Sequence, residues 1–536
     1  MSSVDSFKRI VHAGAMVSFG TLSSVLLNFV AGIIVIRLVT RSEFGLISLG
    51  NTLMNVVVVI AVLGFKVGLP RLISKYRAHE NKAVISSLIR TALSISLSSG
   101  VLFSLALYFS APLLSMSFGK PGLQHVIQIF ALMVAPLVLM DGLTGIFRGF
   151  ENARTKVIFQ DVSLNLVRIT LILIVWSISY SFQHILLTYT VSAWVVFTLY
   201  ALYTVPRLTP RCQSTGRQRV AKELMLFSLP LMAVGMMGNL MAWASTLILG
   251  ILQPSGEVGL FNAPLRLANI IPIALGAMLF LYLPLATKLF ERAALNDLKA
   301  LYVTITKWAY LATLPLLLFF LLEAEFIVVW LFGSEYQSAA NVLRVLAVGF
   351  SVHTFLGPNA TTLISRGDTR IVFHGTAIAA FSTVVLCLIL VPYYGALGAA
   401  FGTALAKSIS NVYISVVLYT RLGIHPFTSM YIKPVAFSII TILLFYAILD
   451  IGNVSHPVPH LLLLPAMALF TLISPLVTRS MDRADVEIIG AIERRMWTKN
   501  IITNWLEKTC MRQGKSTVGS GKKAPGLDSE INERSK

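Results

Sequence analysis

Apolar runs of transmembrane length recur along nearly the whole chain, each interrupted by a short polar or charged stretch. A helix needs about 20 apolar residues to cross a bilayer's hydrocarbon. The pattern therefore predicts transmembrane helices near 12–38, 46–69, 85–109, 123–147, 157–181, 184–206, 224–252, 259–284, 301–322, 339–364, 371–391, 397–419, 432–450 and 458–478. That makes fourteen. The fifth has to carry Asp161, Asn165 and Arg168, and the apolar stretch 326–332 is too short to span. The first run follows Lys8 and Arg9 but is too long for a cleaved signal sequence and lacks a small-residue cleavage site. It is expected to stay as an anchor.

Composition excludes a soluble protein. Of 536 residues, 56% are hydrophobic and only 12% charged, with mean hydropathy +0.79, whereas soluble domains carry about 25% charged residues. The expected class is an all-α polytopic membrane protein. The 43 Lys and Arg against 23 Asp and Glu give a net charge of +20, which suggests nucleic acid or an anionic membrane. Their distribution decides. With the N-terminus placed in the cytoplasm, only Arg41 and Lys120 fall in outer loops, which hold Glu43, Glu257, Glu323, Glu325, Glu335 and Asp450. Inner connections and the tail carry most of the rest, as the positive-inside rule requires. Both termini are therefore expected on the cytoplasmic side of the cell membrane, and no nucleic-acid partner is expected. Cys212, Cys387 and Cys510 are too scattered to write a disulfide frame or a CxxC metal site.

The chain also repeats itself. At an offset of 214 residues, Glu43-Phe44-Gly45-Leu46 falls on Glu257-Val258-Gly259-Leu260, and Leu69-Pro70 falls on Leu283-Pro284. Thr155-Lys156-Val157-Ile158-Phe159 likewise falls on Thr369-Arg370-Ile371-Val372-Phe373. Six spans separate equivalent positions, so the two halves share one membrane orientation, a recognised transporter plan. The expected division is a six-helix half over 1–214, a second over 215–428, two added spans over 429–478, and a tail over 479–536.

Ionisable residues inside hydrocarbon cost at least about 2.5–3.5 kcal/mol each and mark functional sites by default. Seven cations fall within the expected helices: Lys66, Arg90, Arg168, Arg266, Lys307, Arg344 and Lys407. Only Asp141 and Asp161 oppose them. Lys66, Arg90, Lys307 and Arg344 lie close enough to helix ends to snorkel; Arg168, Arg266 and Lys407 lie deeper and favour a cavity wall. Asp161, Asn165 and Arg168 follow helical spacing on one face, and Asn262, Arg266 and Asn269 repeat it on the eighth helix. The 214-residue shift carries the second set onto Ser48, Thr52 and Asn55. For Ser48 and Thr52 alone, hydrogen bonding between helices is explanation enough. Together the faces predict one cationic cavity for an anionic ligand carrying phosphate or pyrophosphate, with Arg168 and Arg266 as its main holders.

These residues sit among segments that resemble a known family. The run Arg37-Leu38-Val39-Thr40-Arg41-Ser42-Glu43-Phe44-Gly45-Leu46 resembles the first-loop motif of Wzx-type polysaccharide flippases. So do Leu331-Phe332-Gly333-Ser334-Glu335-Tyr336 with Ala339-Ala340, and the proline–glycine turn Val391-Pro392-Tyr393-Tyr394-Gly395-Ala396-Leu397-Gly398-Ala399-Ala400. Gly145, Arg148 and Gly149 fit the segment after the fourth helix. The resemblance implies the multidrug/oligosaccharidyl-lipid/polysaccharide exporter superfamily: two six-helix lobes in a V, plus two helices. The implied activity is transfer of a polyprenyl-linked oligosaccharide from the cytoplasmic to the outer leaflet. Its implied partners are the lipid-linked cargo, membrane lipids and glycan-assembly enzymes, with the chain itself a monomer. Relatives often carry Asp about five residues before a Gly in the seventh helix; here Ser245 precedes Gly250, which leaves no acid there for coupling.

Two other classes compete. A drug exporter of the same superfamily would need acids for cationic compounds, which the cation surplus opposes. A membrane glycosyltransferase or polymerase would need clustered carboxylates or a metal, and the outer carboxylates are scattered, with His456 and His460 near Asp450 alone. No cofactor or metal site is expected. Gly514-Lys515-Ser516-Thr517 imitates the end of a phosphate loop, but position 509 is Thr where that motif needs Gly. Residues 479–510 are expected to form a helix on the membrane surface, and 511–536 to be disordered.

Overall fold

The polar breaks become helix boundaries in the computed structural model, which describes residues 3–152, 154–178, 181–208, 217–451, 457–481 and 485. Among them every regular element is helical. The first half comprises α1 (Ser3–Leu38), α2 (Arg41–Ala61), α3 (Phe65–Ala78), α4 (Lys82–Ser117) and α5 (Pro121–Gly149). A π-helical turn (Lys156–Ser163) then runs into α6 (Leu164–Ile178), followed by α7 (Phe182–Leu208). The second half begins with α8 (Arg217–Leu252), α9 (Ser255–Ala268), α10 (Ile273–Glu291), α11 (Leu295–Leu322) and α12 (Ala324–Phe332). A single 3-10 turn (Ser334–Tyr336) precedes α13 (Ala339–Leu356), α14 (Asn359–Arg366) and α15 (Thr369–Leu422). α16 (Ser429–Ile451) and α17 (Pro457–Val477) close the described bundle.

Local chemistry sets the sharp turns. Thr40 caps α2: its hydroxyl accepts the Glu43 N–H at 3.3 Å while the Glu43 carboxylate accepts the Thr40 N–H at 2.8 Å. This reciprocal capping box gives the first-loop motif a structural reason. Gly395, at φ 53 inside α15, is in the left-handed region. There the chain doubles back, so that Ser410 Oγ donates to the Gly375 carbonyl at 2.7 Å and Gly402 lies against Cys387. The N–H of Ala396, exposed by this break, is taken by Glu257 Oε2 at 2.8 Å.

Eleven described helices are long and apolar enough to cross a membrane, or twelve if α9 and the start of α10, bent by 48°, count as one span. The fourteen expected spans are not reached by that count. Thr369–Leu422 counts once although it turns at Gly395, and the described apolar part of the last helix is only Leu462–Val477. On α4, Leu102, Phe109, Leu113 and Met116 stand largely exposed, as suits a face in contact with lipid.

The two halves meet most extensively where α2 crosses α9. A Cβ on Gly45 would lie 1.8 Å from the Ser255 carbonyl oxygen, and one on Gly259 would lie 2.3 Å from that of Arg41. Positions 41 and 255, and 45 and 259, are the same 214 residues apart as the repeated segments. The crossing is therefore reciprocal, and only glycine lets the backbones approach this closely.

At the chain's far end, Lys307 of α11 is fully buried and ion-paired to Asp485, which also accepts the Trp308 indole N–H at 2.7 Å. Lys307 donates to the Ser480 carbonyl as well, at 3.0 Å. Apart from 479–481 and 485, the expected surface helix and tail lie outside the described residues.

Candidate functional site

A cavity of about 340 Å³ lies between α1, α2, α5, α6, α7 and α9. One turn after another of α2 presents polar groups to it: Ser48, Asn51, Thr52 and Asn55. α9 contributes Asn262, Arg266 and Asn269 from the opposing half, and α6 contributes Arg168. Helical spacing thus puts both arginines and both polar stripes on one wall system.

Each guanidinium rests on an aromatic face rather than an acid. Arg168 lies 4.6 Å from the Tyr189 ring centroid and Arg266 5.6 Å from that of Phe44. Arg168 Nε is buried without a hydrogen-bond partner. Arg266 Nη1 donates to Asn28 Oδ1 at 3.3 Å, and Gly32 clears its path, since a Cβ there would sit 2.4 Å from that nitrogen. Among the described residues no carboxylate lies within 4.0 Å of either side chain. Cation–π contact supplies about 0.5–2 kcal/mol, too little to offset the several kcal/mol lost in desolvating a guanidinium. An anion entering between the two would complete both.

The other candidates go elsewhere. Lys407 sits on α15 with its ammonium 3.5 Å from the Phe350 ring centroid and is not among the residues that line this cavity. Beside it, His353 Nδ1 and Asn411 Oδ1 are 2.7 Å apart. Lys66 pairs with Asp141 at 3.2 Å, and Gln160 donates to the same carboxylate at 3.0 Å. Arg344 bonds the Leu321 carbonyl at 3.2 Å and Asn341 at 2.7 Å, with Glu325 3.7 Å away. Arg90 is exposed, and Lys307 is consumed by Asp485. Two of the seven cations, Arg168 and Arg266, line the cavity; four are held at helix ends, at the surface or by acids, and Lys407 lies against Phe350.

Of Asp161, Asn165 and Arg168, expected on one face, only Arg168 lines the cavity. Residues 156–163 are π-helical, a wider turn than the α-helix that carries Asn165 and Arg168. Asp161 instead pairs with Lys156 at 2.9 Å, and Asn165 donates to Ser24 Oγ at 3.3 Å. Leu164, one turn before Arg168, lines the cavity. Sequence reasoning missed Asn28, Asn51 and Tyr189. Asn51 is visible in the sequence as a member of the Ser48, Thr52, Asn55 stripe and Asn28 as an amide within the first apolar run; nothing local marks Tyr189.

The motif segments shape the frame around the cavity. Arg37 donates to the Leu331 carbonyl at 2.8 Å and to that of Trp330, and the Arg41 N–H reaches Glu335 at 3.4 Å. Two of the family-like segments therefore touch each other. Ser245 Oγ is 2.6 Å from Thr403 Oγ1, with Cys387 at 3.6 Å, so this position is a neutral hydroxyl cluster.

Comparison with known proteins bears on the family and the fold. A family model described as "Polysaccharide biosynthesis protein" matches residues 11–290. A probable low-salt glycan biosynthesis flippase, Agl15 of Haloferax volcanii, is 24% identical over 178 residues, 33% of this chain and 37% of that protein. The match thus spans little more than a third of that relative's length. An uncharacterized membrane protein of Methanocaldococcus jannaschii is 23% identical over 384 residues, covering 65% of this chain and 72% of its own. Among solved structures, the lipid II flippase MurJ in an inward closed conformation superposes with a TM-score of 0.69 at 13% identity, covering 87% of this chain and 99% of MurJ. An inward-facing multidrug resistance MATE transporter gives 0.65 at 16% identity, over 76% and 98%. At such identities the likeness shows the fold, the V-shaped one of these transporters.

Proposed function

The chain belongs to the polysaccharide biosynthesis protein family, and from that premise we propose that it flips a polyprenyl-(pyro)phosphate oligosaccharide from the cytoplasmic to the outer leaflet. The observation that carries this reading is the pair Arg168 and Arg266, facing one polar cavity with no described carboxylate within ion-pair distance. Guanidinium matches phosphate oxygens in paired hydrogen bonds, which Lys does not. The asparagines of α2 and α9 offer donors and acceptors to sugar hydroxyls. The name of the Haloferax relative supports a glycan flippase.

Physically, the cargo's head group cannot cross hydrocarbon while its polyprenyl tail can stay there. The cavity neutralises the phosphates, and the halves, 1–214 and 215–428, rock about the reciprocal Gly45/Gly259 crossing to expose it on the other side. Both termini lie in the cytoplasm, the chain acts as a monomer, and glycan-assembly enzymes supply its cargo. The absence of acid from the described cavity wall disfavours cationic drugs, and no enzymatic step is assigned.

The test is leaflet inversion of a fluorescent pyrophosphate-linked oligosaccharide in proteoliposomes holding the full chain. Inversion dependent on the protein is expected. Efflux of a soluble compound without inversion would instead support an exporter.

A further inference from the structure

A second opening, a groove of about 520 Å³, lies on the outer surface of the second half, between α11, α15 and the loop that leads into α16. Its lining is almost wholly apolar. Buried Tyr302 forms its floor, Val412 and Val416 line it from the exposed face of α15, and Tyr419, His425 and Phe427 lie towards the end of that helix. His425 meets Tyr419 edge-on at 5.5 Å and stacks on Phe427 at 6.4 Å, so the three form a connected aromatic rim.

The groove has a direction. α15 ends at Leu422 and α11 begins at Leu295, so the rim stands at the level of helix ends, where an interface zone begins. Val412 lies roughly 15 Å deeper along α15, at 1.5 Å per residue. The rim is also basic. Lys299 stands one turn before Tyr302 on α11, and its ammonium comes within 3.4 Å of where a Cβ on Gly423 would be. Arg421 follows on α15, 3.9 Å from Asp368, an acid already shared with Arg366 at 3.5 Å. Asp297 is an exposed carboxylate in the first turn of α11. An apolar slot running into the membrane below a cationic, aromatic rim complements a lipid with a negative head group.

We propose that this groove binds an anionic glycerophospholipid of the surrounding bilayer, with an acyl chain along Val412 and Val416 and the phosphate between Lys299 and His425. The groove shares no lining residue with the Arg168–Arg266 cavity, so this lipid is distinct from the cargo. Its occupancy fills a gap between α11 and α15 that protein atoms leave open.

Native mass spectrometry of the full chain, loaded with equal dioleoyl-phosphatidylglycerol and dioleoyl-phosphatidylcholine, tests the proposal. The wild type should retain phosphatidylglycerol preferentially. Lys299→Gln should lower that preference roughly fivefold, the effect of about one interfacial cation. Val416→Trp, which fills the slot, should remove the retained lipid. Lys299→Gln lies at the surface and keeps the test decisive if the tryptophan variant does not fold. Equal retention of the two lipids, or a preference unchanged in Lys299→Gln, would overturn the proposal. So would displacement by Val416→Trp of added polyprenyl phosphate but not of phosphatidylglycerol, which would give the groove to the cargo's tail.

Discussion

Asp485 is the residue whose removal should unsettle the fold most, because it neutralises an ammonium that water cannot reach. Lys307 is 1% exposed and Asp485 0%. At an effective dielectric of about 20, two unit charges some 4 Å apart attract by about 4 kcal/mol. Deleting one partner of such a buried pair costs about 3–5 kcal/mol, mostly as the uncompensated charge left behind. Asp485→Leu should therefore lower unfolding free energy by that amount, and Lys307→Met by a similar one. The double variant should recover most of the loss, since apolar residues of similar volume often replace buried pairs at little cost. A residue of about 1 kcal/mol should persist, because the Trp308 indole N–H loses its acceptor. Reversible unfolding in mixed detergent and SDS, followed by helical circular dichroism, measures all four proteins. Losses that simply add, or single losses below about 1 kcal/mol as for exposed pairs, would refute the burial and with it the docking of Ser480 and Asp485 on α11.

Other perturbations follow from the same geometry. Gly45→Ala should destabilise the chain by about 1–3 kcal/mol through overpacking, since its Cβ would lie 1.8 Å from the Ser255 carbonyl oxygen; Gly235→Ala, where nothing lies within 4 Å, should be neutral or mildly stabilising. The same unfolding titration separates them, and equal effects would deny the close α2–α9 crossing. Glu257→Ala should cost about 1–3 kcal/mol by leaving the buried Ala396 N–H unpaired, with Glu257→Gln restoring most of it through its amide oxygen. Lys66→Gln and Arg344→Gln, both outside the polar cavity, should change affinity for a polyprenyl diphosphate by no more than about twofold; a larger loss at either would mean that the cavity extends to it.

How much of this was legible in the sequence depends on whether a feature is local. Helix positions follow from apolar runs, and the stripes Ser48, Thr52, Asn55 and Asn262, Arg266, Asn269 follow from helical periodicity alone; the cavity wall carries both. Partnership is not local. Lys307 finds its acid 178 residues away in the tail, and Lys66 finds Asp141 two helices later. Asp141 is visible as an acid inside an expected helix, but not as the partner of Lys66. Asp485 lies outside the expected spans altogether, so the cation surplus there is one charge smaller than the in-helix count. The π-helical turn at 156–163 is similarly invisible to a 3.6-residue period. Conversely, the glycines of the repeated segment do announce themselves: Gly45 and Gly259 share a register of 214 residues and meet at one crossing.

Arg168 and Arg266 meet no carboxylate among the described residues, and their hold on phosphate is the central claim. Binding of a fluorescent polyprenyl diphosphate, compared with the uncharged polyprenol, to the wild type and to Arg168→Gln, Arg266→Gln and the double variant tests that most directly. Hydrogen bonds to charged groups contribute about 1.5–3 kcal/mol, so each single variant should weaken diphosphate binding by roughly tenfold to a hundredfold. Polyprenol binding and thermal stability should stay unchanged. Diphosphate affinity that survives in the double variant would contradict the account.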